Sequence, residues 1–194
     1  MTLHKINNKK SDRIRQGDIF SNIPYYESYF ENKGEFELSV FEFPYVVVLT
    51  QDCDLNINKL ERDKIDKNQN QNINDKYLIS IIVAPLYNAQ HLFSGEHLSD
   101  IGKRAQNMNR EQKKYVETNQ NSRYHYITFG PDITDPPISI IDFKHYFTIS
   151  LSYLEENLKK RIFGINPLYR ELISQRFSNY LCRIGLPPIQ IEDT

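Results

Sequence analysis

Apolar and polar residues follow one another along this chain in patterns that predict mostly β-strands. In Glu35–Phe43 ("EFELSVFEF") they alternate, which places Phe36 and Val40 on one face of a strand and Phe41 on the other. The runs "PYVVVL" and "YLISIIVAPL" are almost unbroken, as expected for strands buried on both faces. Three further segments have strand-like patterns: "GDIFSNIPYY", "SRYHYITF" and "ISIIDFKHYFTI".

Helices are predicted between and after the strands. A capping box, Ser152 with Glu155, opens a segment that ends at Gly164, and Asn166 with Pro167 opens the next. These patterns predict two C-terminal helices within residues 150–183, with Cys182 as a small buried residue beside the last apolar stripe. Residues 98–118 form a weakly amphipathic helical insertion in this interpretation.

One polar segment, Asn58–Lys76, has few apolar anchors, and we expect it to be a mobile surface loop. The 194 residues suffice for one core, so residues 1–194 are predicted to form a single domain. The fold class is α+β, mainly β: a small, strongly bent barrel with a mid-chain helix and two C-terminal helices.

Composition narrows the function classes. The formal net charge is −1, so any nucleic-acid site must be a local patch. Two cysteines, Cys53 and Cys182, do not form a disulfide framework, and their spacing does not suggest zinc. The N-terminal segment lacks the apolar core of a secretory signal, and no run approaches the roughly 20 apolar residues of a membrane helix. These features predict a cytoplasmic protein without membrane contact.

The order of short motifs resembles that of PemK/MazF-type toxins. "RQGDIF", "PYVVVLTQ", "IIVAPL", "SIIDF" and a last helix occur here in the order that those toxins show, and the likeness extends to uncharacterised bacterial proteins with a "GDIF…VLTQxCDL" pattern. The resemblance covers about two-thirds of the chain. It implies an SH3-like barrel with helices, and a component of a bacterial toxin–antitoxin or phage-defence system that binds a protein partner.

The catalytic residues of these toxins are not matched. The toxins cleave single-stranded RNA with an arginine near the "VVLS" strand and a threonine or serine after the strand that ends in proline. Here the residues before "VVVL" are Glu42–Tyr45, and those after Pro85 are Leu86–Asn88. An arginine would stabilise charge on the scissile phosphate, and neither an acid nor a tyrosine can do so. Whether the chain is an enzyme therefore stays open.

The densest chemistry lies at Asp52-Cys53-Asp54, directly after an apolar run. If the strand continues, the thiol of Cys53 joins an aliphatic face and both carboxylates point to the opposite side. Adjacent acids raise the pKa of a thiol, which favours a structural role for Cys53 over a metal ligand or nucleophile. Asp52 and Asp54 could cap backbone amides, bind a divalent cation, or supply a general base.

Two histidines are candidate partners for these acids. His145 is polar on an otherwise apolar strand face, so it is either a hydrogen-bonded core residue or the third member of a catalytic set. His125 could take the same place. We interpret Asp142 as hydrogen-bonded within the barrel, without a catalytic role.

A basic segment with interleaved tyrosines is the best candidate for RNA or DNA contact, because cations reach phosphates and tyrosines stack on bases. It comprises Lys103, Arg104, Arg110, Lys113, Lys114, Arg123 and Tyr124, with Tyr115 and Tyr126 nearby.

Three hypotheses remain open. The chain is a defence-system component that binds a protein and a nucleic acid, or a nuclease that uses Asp52, Asp54 and a histidine with or without a metal. The third hypothesis is a non-catalytic protein-binding scaffold, and each of the three allows a monomer or a homodimer.

Overall fold

The computed structural model describes residues 6–7, 12–66 and 75–183, with side chains for 12–64 and 75–183. The described chain has a mixed α+β fold built on antiparallel strands. The strands are β1 (Ile6–Asn7), β2 (Asp18–Asn32), β3 (Glu35–Val48), β4 (Ser80–Asn88), β5 (Tyr124–Ile127), β6 (Ser139–Asp142), β7 (Phe147–Ser150) and β8 (Arg161–Ile165). The α-helices are α1 (Asp52–Asp66), α2 (Ala89–Ser94), α3 (Arg110–Glu117), α4 (Leu151–Glu156) and α5 (Pro167–Leu181).

Seven strands follow one another in the order β1-β8-β2-β3-β4-β6-β5, and β7 pairs with β4. Within the described ranges the sheet is open, because β1 and β5 at its two ends do not pair with each other. The sequence-based expectation of a mixed, mainly β fold is therefore confirmed, whereas a closed barrel is not observed. No helix in the described part is both long and apolar enough to cross a bilayer.

Both faces of the sheet are covered. Val46 and Val48 belong to one hydrophobic cluster, with Leu92 of α2. Val47 and Leu49, the alternate residues of the same strand, belong to a second cluster with residues of α5. This arrangement confirms that the apolar run "VVVL" is buried on both sides, as its lack of alternation predicts.

A short interruption separates β6 from β7. Leu86 of β4 is opposite Ile141, and Val83 is opposite Phe147, so five residues on one side of the ladder face two on the other. The extra residues form a 3₁₀ turn, Phe143–His145. Pro85, which cannot donate to a ladder, lies in the facing stretch of β4. The turn is thus an enlarged β-bulge inside an otherwise regular sheet.

The strand that ends in "VVVL" does not continue through Cys53, so the predicted sorting of the thiol and the acids is wrong. Helix α1 begins at Asp52, and acidic side chains in its first turn favour a helix start because they face the positive end of the helix dipole. Cys53 is exposed rather than part of the core, and Asp54 is exposed beside it. Residues 58–66 of the expected mobile loop are helical, and residues 67–74 lie outside the described part.

Other predicted boundaries also change. The expected helix over 98–118 is reduced to a 3₁₀ turn at Ser99–Ile101 and α3, with irregular chain between them. The first C-terminal helix ends at Glu156, and "RIFGI" forms strand β8, which pairs with β2. Cys182 is exposed at the end of α5 and is not a buried filler. The first predicted C-terminal helix runs into this strand, because "RIFGI" is too short to show a strand periodicity of its own.

Candidate functional site

The polar centre of the molecule lies at the turn between β6 and β7. Asp142 ends β6 and caps the 3₁₀ turn by accepting a hydrogen bond from the backbone N–H of Lys144 at 3.0 Å. The turn brings His145 back beside Asp142, with 3.5 Å between His145 Nδ1 and Asp142 Oδ2. A straight strand would separate residues three apart onto opposite faces, so the interruption is what joins them.

Asp142 is completely buried and is held by Arg123 in a two-point ion pair. Arg123 Nε donates to Asp142 Oδ1 at 2.8 Å, and Arg123 Nη2 donates to Oδ2 at 2.5 Å. This pairing raises the pKa of Arg123 above its ordinary value, so the guanidinium stays charged. Arg123 also lies over the ring of Tyr124, 4.8 Å from its centroid. Asp142 uses two of the five N–H donors of Arg123, and the others remain for a ligand.

His145 is oriented through its Nδ1 atom. The hydroxyl of Tyr87 lies 3.0 Å from Nδ1, and the Asp142 carboxylate is the nearest negative charge. This surrounding favours a proton on Nδ1 and a lone pair on Nε2. Burial lowers the pKa of His145 below its ordinary value, despite the opposing effect of Asp142. The imidazole is therefore neutral at physiological pH.

His97, in the loop after α2, supplies a second imidazole. Its ring lies 6.3 Å from that of His145 and 4.8 Å from that of Tyr87, centroid to centroid. Burial lowers the pKa of His97 to about 4. Gly95 fixes this loop: its φ is +78°, and a Cβ there would collide with the carbonyl oxygen of Ala105. The loop is thus packed too closely for a larger residue.

Two cavities meet at these histidines. The first, of about 670 Å³, is lined by polar and aromatic residues that include His97, His145, Arg123, Lys144, Tyr115 and Tyr124. The second, of about 730 Å³, is lined by His97 and His145 and by Tyr45, Leu86, Tyr87 and Asn88, among others. His97 and His145 therefore stand where a ligand spanning both cavities would be contacted from each side.

The wall of the first cavity is held in place by Arg176 of α5. Its guanidinium donates to the carbonyl oxygens of Asn119, Asn121 and Tyr124 at 2.5 to 2.7 Å. These bonds connect the chain after α3 to β5, and Arg123 lies between them. Arg176 is a positioning residue by this geometry.

Asp52 lies in a separate cluster. Arg13 donates to its two carboxylate oxygens at 3.0 Å each, and Arg170 Nη1 lies 3.5 Å from Oδ2. Burial acts to raise the pKa of Asp52, but the two arginines outweigh it and lower the pKa below its ordinary value. These contacts give Asp52 a structural role that joins the N-terminal segment to α1 and α5.

The structure does not bring the other predicted site residues to the Asp52 cluster. Among the described residues, Cys53 Sγ donates hydrogen bonds to Gln51 and Asp54, at 3.4 and 3.6 Å. Among the described residues, the one group of three donors able to hold a metal consists of His97, Asp142 and His145, and it contains neither Asp52 nor Asp54. His125 is completely buried beside Phe143 and does not line the site.

The predicted nucleic-acid segment is partly assembled. Arg123 and Tyr124 line the first cavity together with Tyr115. Lys103 and Arg104 line a smaller cleft beside the second cavity, which Lys103 also lines. Lys113 of α3 lies over the ring of Phe93 at 5.8 Å, and Arg110 and Lys114 are exposed on the same helix. Of the predicted basic residues, Arg123 therefore lines the first cavity, and the others lie outside it.

A divalent cation at the three-residue group would meet a competing charge. The ligand atoms of His97, Asp142 and His145 lie within 4.8 Å of one another, and neutral imidazoles with a carboxylate form a donor set that transition metals accept. Arg123 already pairs with both oxygens of Asp142, however, and its guanidinium would repel a cation. The donor set fits a metal only if Arg123 moves away.

Sequence reasoning missed His97 and gave Asp142 no functional role. His97 lies in an irregular loop, 45 positions before Asp142 along the chain, so no local spacing connects them. A "DFKH" spacing, Asp142 to His145, could have been found if a turn rather than a strand had been assumed there. No protein-family model matches this chain, and no curated protein is significantly similar to it.

Proposed function

We propose that this protein cleaves single-stranded RNA without a metal, with His145 as the general base. The observation that supports this proposal is the convergence of two neutral imidazoles and the Arg123–Asp142 pair where two cavities meet. A neutral histidine is the state that can accept a proton, and an arginine with unused donors can bind a phosphate.

The roles follow from the contacts. His145 Nε2 takes the proton of a ribose 2′-hydroxyl, whose oxygen attacks the adjacent phosphorus. The 5′-oxygen leaves with a proton from water, and the product ends in a 2′,3′-cyclic phosphate. Arg123 and Lys144 bind the phosphate, and Arg123 stabilises the charge that builds on it. Tyr115 and Tyr124 offer aromatic faces on which bases stack.

The resemblance to PemK/MazF toxins gives the proposal a second support. The second cavity is lined by Glu42–Tyr45 and Leu86–Asn88, the residues at the two places where those toxins carry their catalytic groups. We propose that the open sheet is a variant of their SH3-like barrel, with histidines in place of the missing arginine and threonine. Membership in a toxin–antitoxin or phage-defence system rests on the resemblance alone.

The test is cleavage of a fluorescent single-stranded RNA by the purified chain in the presence of EDTA. We expect a 2′,3′-cyclic phosphate product and no cleavage of the same strand with 2′-deoxyribose. His145→Ala is expected to lower the rate by roughly 10²- to 10⁴-fold. Tyr77→Ala, which changes an aromatic side chain that is 52% exposed and lines neither cavity, is the control and should retain the rate.

Two results would contradict the mechanism. Cleavage that EDTA abolishes and manganese restores would assign a metal to His97, Asp142 and His145 instead. Absence of cleavage in the wild-type chain, with folded structure verified by circular dichroism, would remove the enzymatic function and leave a binding protein.

A further inference from the structure

The hairpin of β2 and β3 extends beyond the core as an arm, defined here as residues 25–42. Its turn has two residues, Lys33 and Gly34, both with positive φ, which is the conformation of a tight hairpin turn. At the base of the arm, Tyr25 and Phe41 pack against the core. Toward the tip, the side chains are exposed on both faces.

A β-bulge gives this arm one continuous apolar face. The pairing shifts between Tyr26 and Ser28, so Glu27 is the extra residue and Tyr26 and Tyr29 project to the same side. Their partners across the ladder are Val40 and Leu38. The apolar arm face therefore consists of Tyr26, Tyr29, Phe36, Leu38 and Val40, which are between 45% and 76% exposed.

The opposite face is polar and acidic. Beyond Tyr25 and Phe41 at the base, it carries Ser39, Glu37 and Glu35, and the large apolar side chain exposed there is Phe30. Two acids share the apolar arm face: Glu31 lies near the tip, opposite Phe36, and Glu42 lies at the base, opposite Pro24. Most apolar side chains of the arm therefore lie on one face and most acidic side chains on the other. This pattern is expected for an antiparallel pair with one buried face.

We propose that a second copy of this chain covers the apolar arm face, with the two arms packed face to face in a symmetric dimer. The middle of this face can meet its own copy without opposing acids, because Glu31 and Glu42 lie at its two ends and Glu35 and Glu37 lie on the opposite face. Two sheets pack in this manner at about 10 Å. A hydrophobic face of this kind on a single copy would be left in water.

The area is adequate for a stable contact. A covered aromatic side chain buries roughly 150–250 Å². Three aromatic residues with Leu38 and Val40 therefore offer on the order of 500–700 Å² for each copy, or about 1,000–1,400 Å² in total, near the lower limit of about 1,200 Å² for specific interfaces. The proposal is independent of the RNA-cleaving site, which lies on other residues.

Sedimentation velocity of the full chain over a range of concentrations tests the proposal. We expect a wild-type dimer, and a dissociation constant at least about tenfold higher in the double variant Tyr29→Ser/Leu38→Ser, since central apolar anchors dominate affinity. The variant removes exposed side chains only, so its far-ultraviolet circular dichroism spectrum should equal that of the wild type. Phe30→Ser is the matched control, because it removes a side chain 62% exposed on the acidic face of the same arm.

A fluorescent reporter can locate the contact. The chain has no tryptophan, so Phe36→Trp introduces a single emitter on the apolar arm face and Phe30→Trp one on the acidic face. Emission from the first should shift to shorter wavelength as concentration rises, and emission from the second should not.

Three outcomes would overturn the proposal. A wild-type chain that is monomeric at all concentrations leaves the arm to another partner. A Phe30→Ser variant that dissociates as readily as the double variant assigns the contact to the wrong face. A dimer that dissociates as salt rises is held by charge, as expected for the acidic face against the basic segment, and not by apolar packing.

Discussion

Asp142 and Asp52 each accept hydrogen bonds from one arginine on both carboxylate oxygens, yet the two pairs have different surroundings. Asp142 is completely buried, and two imidazoles and two cavities adjoin it. Asp52 is about one-fifth exposed, and a second arginine, Arg170, lies 3.5 Å away where the first pair has histidines. The same kind of ion pair joins structural elements in one place and adjoins two histidines and two cavities in the other, so the neighbouring groups make the difference.

The largest expected effect comes from Asp142→Asn. The change leaves Arg123 half-buried without its counter-ion and His145 without the charge that orients it. We expect the free energy of unfolding to fall by about 3 kcal/mol, the low end for breaking a buried pair, because Arg123 is 31% exposed. RNA cleavage should be lost. Urea denaturation measures the first effect, and an unchanged midpoint would show that the pair contributes little to stability.

The next effect concerns pH. The pKa of His97 is about 4 in the folded chain and about 6.5 when unfolded, so the unfolded chain binds more protons between these values. Stability should therefore fall as pH decreases from about 6.5, by on the order of 2–3 kcal/mol at about pH 4.5. His97→Gln should remove this part of the dependence. Parallel wild-type and variant curves below about pH 6 would contradict the burial of His97.

Asp52→Asn tests the structural role of the second ion pair, Arg13 with Asp52. It should lower the free energy of unfolding by about 1–2 kcal/mol, because two partly buried arginines lose a charged acceptor. The pKa of Asp52 is lowered in the folded chain, so its contribution is present at neutral pH and is lost as pH falls through that lowered pKa. RNA cleavage should be unchanged in this variant. A cleavage defect at wild-type stability would return Asp52 to the list of catalytic candidates.

The smallest effect is expected for Cys53→Ser. The thiol is exposed and its contacts with Gln51 and Asp54 are weak, so the free energy of unfolding should change by less than about 0.5 kcal/mol. Thermal denaturation of the two proteins in a reducing buffer measures this. A larger loss would indicate that the first turn of α1 depends on the thiol.

The strands were predictable where burial dictates their pattern. The unbroken run before Thr50 lies between two hydrophobic layers, and the alternation in Glu35–Phe43 separates the apolar arm face from the acidic one. The transition at Asp52 was not predicted, since three residues are too few to display a helical period and a strand also explains them. The site was half predicted: His145, Arg123 and Tyr124 were singled out, but the contact with His97 depends on long-range pairing that spacing does not encode.

The 3₁₀ turn between β6 and β7 adds a group of polar side chains without changing the strand pairing around it. Three additional residues bring the imidazole of His145 back beside the carboxylate that ends β6, while the pairing before and after them continues along β4. A chain with an uninterrupted strand at this position would retain the same sheet and lose the paired groups altogether. The proximity of Asp142 and His145 thus depends on the length of one local turn, whereas the sheet does not.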